Sequence, residues 1–215
     1  MTKLVLVSDT HTYHNQVTIP QCDILVHAGD LSFHGKPMEL ISFNSWIYDL
    51  KDRGTIKEAV IIAGNHELGM EKDPNQVAVE YLSACNFMHC KSYKSPTGLK
   101  FFGVPHQLRF FDWAWNTDEQ GIANQLSMVP DDVDVLVTHG PPHGYNDVGR
   151  DGTHCGSYAL LAWIQRAQPK LVVFGHIHAG YSGDTVTMIG NTRIVNASTC
   201  TEQYKPTNKP IEVEL

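Results

Sequence analysis

The chain has 215 residues, of which 42% are hydrophobic, and this is enough apolar surface for the core of one sizeable domain. Its 16 basic and 23 acidic residues give a net charge of -7, a sign that disfavours a protein that wraps long nucleic acid. Charged residues make up only 18%, which excludes a disordered polyelectrolyte. Histidine, a frequent metal ligand, is unusually abundant, with 12 copies against 16 for Lys and Arg together.

Short apolar runs alternate with amphipathic stretches along the chain. Five runs predict buried strands, at residues 4–7, 24–26, 59–63, 133–137 and 171–174. Apolar residues at helical spacing predict helices at 37–51, 77–85, 117–126 and 157–167. Alternating segments at 99–104, 185–189 and 192–197 predict a second, partly antiparallel sheet, with a turn at Gly190-Asn191. The order is typical of an α/β architecture, and the lack of linkers or repeats predicts one domain over residues 1–215.

Neither the N-terminus nor the cysteines predict export. The apolar run at residues 4–7 is too short for a secretion signal, and no segment reaches the ~20 apolar residues of a membrane helix. The five cysteines form no CxxC pair, which predicts free thiols in a reducing compartment. We therefore expect a cytoplasmic protein without a membrane partner.

Polar side chains of the metal-ligand type follow each of the five predicted strands. In chain order they are Asp9 and His11, Asp30, Asn65 and His66, His139, and finally His176 and His178. Loops at the carboxyl ends of parallel strands converge, so we expect these side chains to meet. A single histidine after a strand is more often structural, but five such occurrences favour a common site.

Seven of these side chains form the predicted ligand set: Asp9, His11, Asp30, Asn65, His139, His176 and His178. Seven donors exceed what one tetrahedral ion accepts, which predicts two divalent ions that share a carboxylate. Such a pair lowers the pKa of a bound water to about 7 and suits in-line attack on phosphorus. Nitrogen and oxygen donors are compatible with Mn, Fe, Zn, Co or Ni.

The motifs DxH, GD, GNHE, THG and GHxH lie in this order between residues 9 and 178 and resemble those of the calcineurin-like metallophosphoesterases. The resemblance implies a four-layer α/β/β/α sandwich with two mixed sheets and a dinuclear metal centre at the carboxyl ends of the strands. It assigns one ion to Asp9, His11 and His178, and it makes Asp30 the bridge. The second ion is assigned to Asn65, His139 and His176.

The same resemblance implies the catalytic residues. His66 would donate a proton to the leaving oxygen, supported by Asp30 or a nearby carboxylate, with Asn65 beside it. His66 is also a reasonable choice from its position, because it neighbours a ligand and is surplus to the ligand set.

Four further stretches resemble one subgroup, the metallophosphoesterase-domain-containing phosphodiesterases first described from brain. They lie at residues 140–142, 155–156, 196–200 and 206–211, and a fifth, at 175–181, extends the GHxH motif. This resemblance implies hydrolysis of small phosphodiesters, including cyclic nucleotides, with manganese as the expected metal. In a GxPxQ stretch where the subgroup has an aromatic residue, this chain has His106.

The expected function is that of a metal-dependent phosphodiesterase in which a metal-bridging hydroxide attacks a small phosphodiester or nucleotide. Phosphomonoesterase or protein phosphatase activity is one alternative, although Gly29-Asp30 is not followed by the DRG sequence of the protein phosphatases. A nuclease of the same superfamily would need an additional DNA-binding segment. A non-catalytic metal-bound scaffold is disfavoured because such relatives tend to lose ligands.

Several aromatic residues and histidines lie outside these motifs. Trp113 and Trp115 could stack on a base or pack in a small core of their own, and the sequence favours packing. His27 is expected in the core, within the second predicted strand. Four other histidines are expected to face solvent, namely His14, His34, His89 and His154.

Overall fold

The computed structural model describes all residues from Met1 to Leu215. The strands are β1 (Lys3–Val7), β2 (Cys22–Ala28), β3 (Ile56–Ile62), β4 (Asn86–Phe87), β5 (Lys91–Lys94), β6 (Lys100–Val104), β7 (Gln107–Leu108), β8 (Asn116–Thr117), β9 (Val135–Thr138), β10 (Leu171–Phe174), β11 (Thr187–Ile189), β12 (Thr192–Asn196) and β13 (Ile211–Glu214). The helices are α1 (Pro37–Asp52), α2 (Pro74–Tyr81), α3 (Glu119–Leu126) and α4 (Tyr158–Ala167). All five predicted strands and all four predicted helices are present, with shifted ends.

The strands form two large mixed sheets. The first has the order β13-β1-β2-β3-β4, in which β1 to β4 run parallel and β13 is antiparallel at the edge. The second has the order β11-β12-β10-β9-β6-β5, with antiparallel strands β11 and β5 at its two edges. Strands β7 and β8 form a small separate pair. The predicted fold class, with two mixed sheets, is confirmed.

Both faces of each large sheet are covered, and this explains the continuous apolar runs in the sequence. In β1, Leu4 and Leu6 face the other sheet, whereas Val5 and Val7 face the core beneath α1 and α2. A third core lies between the outer face of the second sheet and helices α3 and α4. The layers are therefore helix, sheet, sheet and helix.

Capping residues explain where two helices begin. Helix α2 starts three residues before the predicted position because Pro74 is its first residue and Asp73 accepts a hydrogen bond from the amide of Gln76 at 3.3 Å. Helix α4 starts after Ser157, whose hydroxyl accepts from the amide of Leu160 at 3.1 Å. Helix α2 ends at Tyr81, short of the predicted residue 85.

The longest helix, α1, has 16 residues, and no helix combines the length and hydropathy of a membrane-spanning segment. All five cysteines are free thiols.

The histidines outside the predicted ligand set are only partly as buried or exposed as the sequence predicts. His27 is buried in β2 as predicted, and His34 and His154 are exposed. The prediction for His14 is wrong: it is fully buried, and its Nε2 lies 3.1 Å from the Ser42 hydroxyl of α1. The turn after β1 packs beneath α1, a tertiary contact that no local pattern signals. His89 is half-buried.

Truncating a core residue of β2 should measure how much the first sheet depends on its helices. Leu25 is fully buried on the face toward α1. We expect Leu25→Ala to lower the free energy of unfolding by about 2–5 kcal/mol, because it removes apolar contact and leaves a cavity. Urea denaturation followed by circular dichroism measures this change. Met38→Ala on α1 is the control, because Met38 is 75% exposed and should change stability by less than ~0.5 kcal/mol. Equal effects of the two substitutions would contradict this packing.

Candidate metal centre

The two large sheets meet at the carboxyl ends of their central strands. Ser8, after β1, forms a parallel bridge with Ser198, after β12, and the amide of Thr199 donates to the Ser8 carbonyl at 2.8 Å. Loops after β1, β2 and β3 of the first sheet therefore face loops after β9 and β10 of the second. The predicted ligand clusters lie on these loops, so both sheets contribute to one site.

One group of donors comes from Asp9, His11 and His178. One ligand atom from each lies within 4.8 Å of the others. The Nε2 atom of His178 is 3.5 Å from Asp9 Oδ1 and 3.2 Å from His11 Nε2. We call these three residues the first donor set.

A second group comes from Asn65, His139 and His176, which we call the second donor set. The side-chain oxygen of Asn65 lies 2.9 Å from Nε2 of His139 and 2.7 Å from Nδ1 of His176. Both sets are buried or nearly so, with Asn65 1% exposed.

Asp30 lies between the two donor sets. Its Oδ2 atom is 3.9 Å from Nε2 of His11 in the first set and 3.3 Å from Nε2 of His139 in the second. A carboxylate in this position can contact an ion in either set. The structure thus brings all seven predicted ligands together, in the two groups that the family resemblance implies.

The hydrogen bonds of the imidazoles fit metal binding. Nδ1 of His178 donates to the Thr201 carbonyl at 3.0 Å, and Nδ1 of His139 donates to the Ala28 carbonyl at 2.9 Å. Because Nδ1 carries the proton in these bonds, Nε2 of each neutral ring has a free lone pair. Nε2 of His178 faces Nε2 of His11, and Nε2 of His139 faces the side-chain oxygen of Asn65. Nδ1 of His11 is buried and has no hydrogen-bond partner. Backbone carbonyls hold metal-ligating histidines in this way, so the residues fit divalent cations.

The electrostatics of the site also favour a cation. Burial lowers the pKa of His139, but the Asp30 carboxylate outweighs it and raises that pKa to about 9. Burial opposes the ionisation of Asp9 and Asp30, yet the adjacent imidazoles hold both carboxyl pKa values well below their usual range. The site therefore stabilises positive charge between its donors.

Left-handed backbone conformations occur at several of the predicted ligands. Asp9, His11, Asp30 and His176 have φ values of 53°, 41°, 55° and 65°. Few residues other than glycine adopt such values, because the side chain crowds the backbone. Concentration of this strain at ligand positions indicates that the loops are shaped for the site.

Two glycines beside the ligands are required by close packing. A Cβ atom on Gly175 would collide with the side chains of Asp9 and Ser8. A Cβ on Gly64 would collide with the Asp30 carboxylate and the His139 ring. Steric crowding therefore explains why the GNHE and GHxH motifs have glycine at positions 64 and 175.

Glu67 supports the loop that carries Asp30. One of its carboxylate oxygens accepts from the amides of Asp30 at 2.9 Å and Gly64 at 2.7 Å. The other accepts from the amide and hydroxyl of Ser32 at 3.0 and 2.8 Å. Burial and the Asp30 charge raise the pKa of Glu67, and the hydrogen bonds from Gly64 and Ser32 oppose that shift. Glu67 thus orients Asp30 and its loop, rather than the ring of His66.

His66 lies at the edge of the first donor set and is 8% exposed. Its Nδ1 donates to the Phe33 carbonyl at 3.1 Å, so a backbone carbonyl orients the ring in place of the expected carboxylate. Asp30 Oδ1 accepts from the backbone amide of His66 at 2.8 Å. A ligand atom of His66 also lies within 4.8 Å of those of His11 and Asp30. Geometry alone therefore allows His66 to be either a proton donor or a ligand.

The donors lie at the base of an open cavity of about 900 Å³. Its wall includes Arg109, Phe110, Arg150 and Tyr204. The Arg109 guanidinium is paired with exposed Asp112 at 2.9 Å, whereas exposed Arg150 has no ion pair within the chain. The cavity thus offers aromatic surface and a free cation next to the candidate metal centre.

The two tryptophans have different surroundings. Trp115 is 3% exposed and belongs to the core beneath α1 and α2. Trp113 stacks on the ring of His66, with centroids 4.3 Å apart and an interplanar angle of 27°. Trp115 is packed, as the sequence favours, but in the large core of the first sheet rather than in a small core of its own, and Trp113 contacts a site residue.

Some residues of the site carry no sequence signal of their own. The Ser198 hydroxyl donates to Asp9 Oδ2 at 2.9 Å, and Tyr204 lies with its ring 5.4 Å from that of His178. Ser198 lies in a stretch that the subgroup resemblance singled out, although without a role. Tyr204 belongs to no motif, and only the folded chain brings it to the site.

The role of Glu67 can be tested by Glu67→Gln. In either orientation, the amide nitrogen of Gln would face a backbone N–H that now donates a hydrogen bond to the carboxylate, and that hydrogen bond would be lost. We expect Mn²⁺ affinity to fall about 10–100-fold, because residues that orient ligands affect metal binding on this scale. Isothermal titration calorimetry on the chelator-treated protein measures it. Glu80→Gln, at an exposed position of α2, is the matched control. Equal affinity in both variants would contradict the role of Glu67.

Comparisons with known proteins agree with this geometry. The family described as calcineurin-like phosphoesterase matches residues 2–180. Metallophosphoesterase domain-containing protein 1 of Homo sapiens is 36% identical over 239 residues, an alignment that covers all of this chain and 71% of the human protein. The Mus musculus protein of the same name has the same identity and coverage.

Two solved structures share the fold. TT1561 of Thermus thermophilus has a TM-score of 0.60 at 12% identity, with 91% of this chain and 88% of that chain covered. GAP50 of Plasmodium, described as an anchor in the inner membrane complex, has a TM-score of 0.51 at 14% identity, with 92% and 71% covered. At these identities the likeness concerns the fold alone. The family match and the human relative show that this chain belongs to the calcineurin-like phosphoesterase family.

Proposed function

We propose that the chain is a dinuclear metal-dependent phosphodiesterase that hydrolyses small phosphodiesters, among them cyclic nucleotides. The observation that carries the proposal is the position of Asp30 between two donor sets at the base of an open cavity. A centre of this kind can hold two ions about 3.5–4 Å apart, the arrangement suited to in-line displacement at phosphorus. Manganese is the metal we propose first, and the donors are also compatible with Fe, Zn, Co or Ni.

The chain's own residues would hold both ions. The first donor set would hold one ion, the second donor set the other, and Asp30 would bridge them. When bound, two divalent ions supply positive charge for the phosphate oxygens and lower the pKa of a coordinated water to about 7. Asn65 then serves both as a ligand and as a fixed group beside the reacting phosphate.

The charge of the site favours a diester over a monoester. Two divalent ions would bring +4, the buried carboxylates of Asp9 and Asp30 bring -2, and a hydroxide between the ions would bring -1. Glu67 is not counted, because burial and the Asp30 charge raise its pKa to about 8. On the cavity wall, the two positive charges of Arg109 and Arg150 are equalled in number by the negative charges of Asp151 and Glu202, although none of these four residues pairs with another. The remaining charge is about +1, which matches the single negative charge of a phosphodiester better than the double charge of a monoester.

The shape of the cavity favours a small substrate. Its volume of about 900 Å³ lies within the range of roughly 300–1,000 Å³ typical of small-molecule sites. Phe110, 45% exposed, has its ring 5.4 Å from that of His176 and can cover a base. Base stacking on aromatic side chains stabilises nucleotide binding without reading sequence. These features support a nucleotide substrate rather than long nucleic acid.

His66 is the proposed proton donor. Its Nδ1 is held by the Phe33 carbonyl, which leaves Nε2 for proton transfer. Stacking on Trp113 fixes the plane of the ring. In this role His66 would protonate the leaving oxygen as the phosphorus–oxygen bond breaks.

We also propose a cytoplasmic location. All five cysteines are unpaired thiols, and two of them, Cys22 and Cys200, are buried. Free cysteines in this number suit a reducing compartment.

A substrate panel with controlled metal content tests the proposed function. Chelator-treated protein should not hydrolyse bis-p-nitrophenyl phosphate, and Mn²⁺ should restore the activity. Diesters and 2′,3′- or 3′,5′-cyclic nucleotides should then be hydrolysed with higher kcat/KM than monoesters. Full activity without metal would contradict the mechanism. A preference for monoesters would favour the phosphatase alternative, and no hydrolysis with metal bound would favour a scaffold.

The role of His66 is tested by His66→Ala with two kinds of leaving group. We expect the rate to fall about 10²–10⁴-fold for diesters with poor leaving groups. The loss should be much smaller for p-nitrophenyl diesters, whose leaving oxygen needs no proton. Metal content, measured by elemental analysis, should stay unchanged. His34→Ala, an exposed residue of the loop after β2, is the control. Loss of a metal ion in His66→Ala would instead make His66 a ligand.

A further inference from the structure

A second cluster of metal-binding residues lies away from the seven-residue centre. His89 and Cys90 directly precede β5, and His106 follows β6. Strands β5 and β6 pair antiparallel, with Lys91 opposite Gly103, so the start of one lies beside the end of the other. This hairpin brings the three residues together, and none of them belongs to the first or second donor set.

The donor atoms of this cluster are close enough to share an ion. One ligand atom from each of His89, Cys90 and His106 lies within 4.8 Å of the other two. Cys90 Sγ is 3.9 Å from His106 Nδ1. In a tetrahedral zinc site, bond lengths of about 2.3 Å to sulfur and 2.0–2.1 Å to nitrogen separate two such donors by about 3.6 Å. A small contraction of the cluster would therefore complete the geometry.

One atom of the cluster lacks a hydrogen-bond partner, and the backbone at Cys90 is unusual. The Nε2 atom of His89 is buried and makes no hydrogen bond, which is unfavourable for a polar ring nitrogen. Cys90 has a left-handed backbone with φ of 48°, which non-glycine residues seldom adopt. The Trp115 ring packs against both imidazoles, with centroids 5.1 Å from His89 and 5.7 Å from His106, and provides an apolar wall.

Helix α3 contributes an adaptable neighbour, Gln125. Its Oε1 accepts from the Cys90 thiol at 2.7 Å, and its Nε2 lies 3.5 Å from Nε2 of His106. A half-turn of this amide would let its N–H donate to a Cys90 thiolate and its oxygen accept from His106 Nε2–H. That exchange leaves His106 Nδ1 free to bind metal and orients the ring, as partners of metal-ligating histidines do.

We propose that His89, Cys90 and His106 form a zinc site that is independent of the candidate dinuclear centre. Two imidazoles and one thiolate suit Zn²⁺, a borderline-soft ion, and a water completes the four ligands. Cys90 gives up its thiol proton to solvent when the ion binds. The ion would tie the segment between β4 and β5 to the end of β6. The thiolate distinguishes this site from the dinuclear centre, whose predicted ligands are nitrogen and oxygen.

Cobalt spectroscopy tests the site directly, because only a cysteine ligand gives a thiolate-to-cobalt charge-transfer band. Metal-free protein, kept reduced, is titrated with Co²⁺. We expect the band in the wild type, its loss in Cys90→Ser, and its retention in Cys155→Ser, the control for a second half-exposed thiol. Added Zn²⁺ should displace Co²⁺ and abolish the band. Circular dichroism establishes that each variant is folded.

Three results would overturn the zinc site. A wild-type protein saturated with Co²⁺ that shows no charge-transfer band does not use a thiolate ligand. A band that persists in folded Cys90→Ser arises from another cysteine. His106→Gln provides an additional readout, since it leaves the thiol in place and should weaken Co²⁺ binding at this site at least tenfold. Unchanged binding in that variant would also contradict the assignment.

Discussion

The structure depends on the burial of acidic groups between two sets of imidazoles. Asp9, Asp30 and Glu67 are almost completely removed from solvent within a short distance of one another. Buried carboxylates are costly unless compensating charge and hydrogen bonds surround them. Neighbouring imidazoles and four bonds to Glu67 provide part of this compensation in the metal-free chain. In the account we favour, two divalent cations provide the remainder.

The fold meets this requirement by joining two sheets at the ends of their central strands. Parallel strands buried on both faces form a rigid support, and the loops that leave them can hold strained backbone at Asp9, Asp30 and His176. The protein as a whole is acidic, with a net charge of -7. Metal binding would nevertheless make the base of the cavity locally positive, where an anionic phosphate must approach. Overall charge therefore says little about the charge of this site.

The meeting of the seven side chains could be predicted from sequence because each of them closely follows an apolar strand. That pattern is local and occurs five times, so the sequence alone identifies both the strands and the polar residues that follow them. Other features depend on contacts between distant segments. The burial of His14 under α1 and the approach of Tyr204 to His178 have no local pattern. The bonds from Glu67 to the Asp30 loop span 37 residues and likewise appear only in the folded chain.

In the proposed centre, Asp30 bridges two metal ions held by the two donor sets. Anomalous X-ray scattering from crystals of the Mn²⁺-loaded protein would locate these ions. We expect two manganese peaks about 3.5–4 Å apart, with the Asp30 carboxylate between them. One peak belongs beside Asp9, His11 and His178, and the other beside Asn65, His139 and His176. A single peak at full Mn²⁺ loading, or two peaks without Asp30 between them, would contradict a dinuclear centre bridged by Asp30.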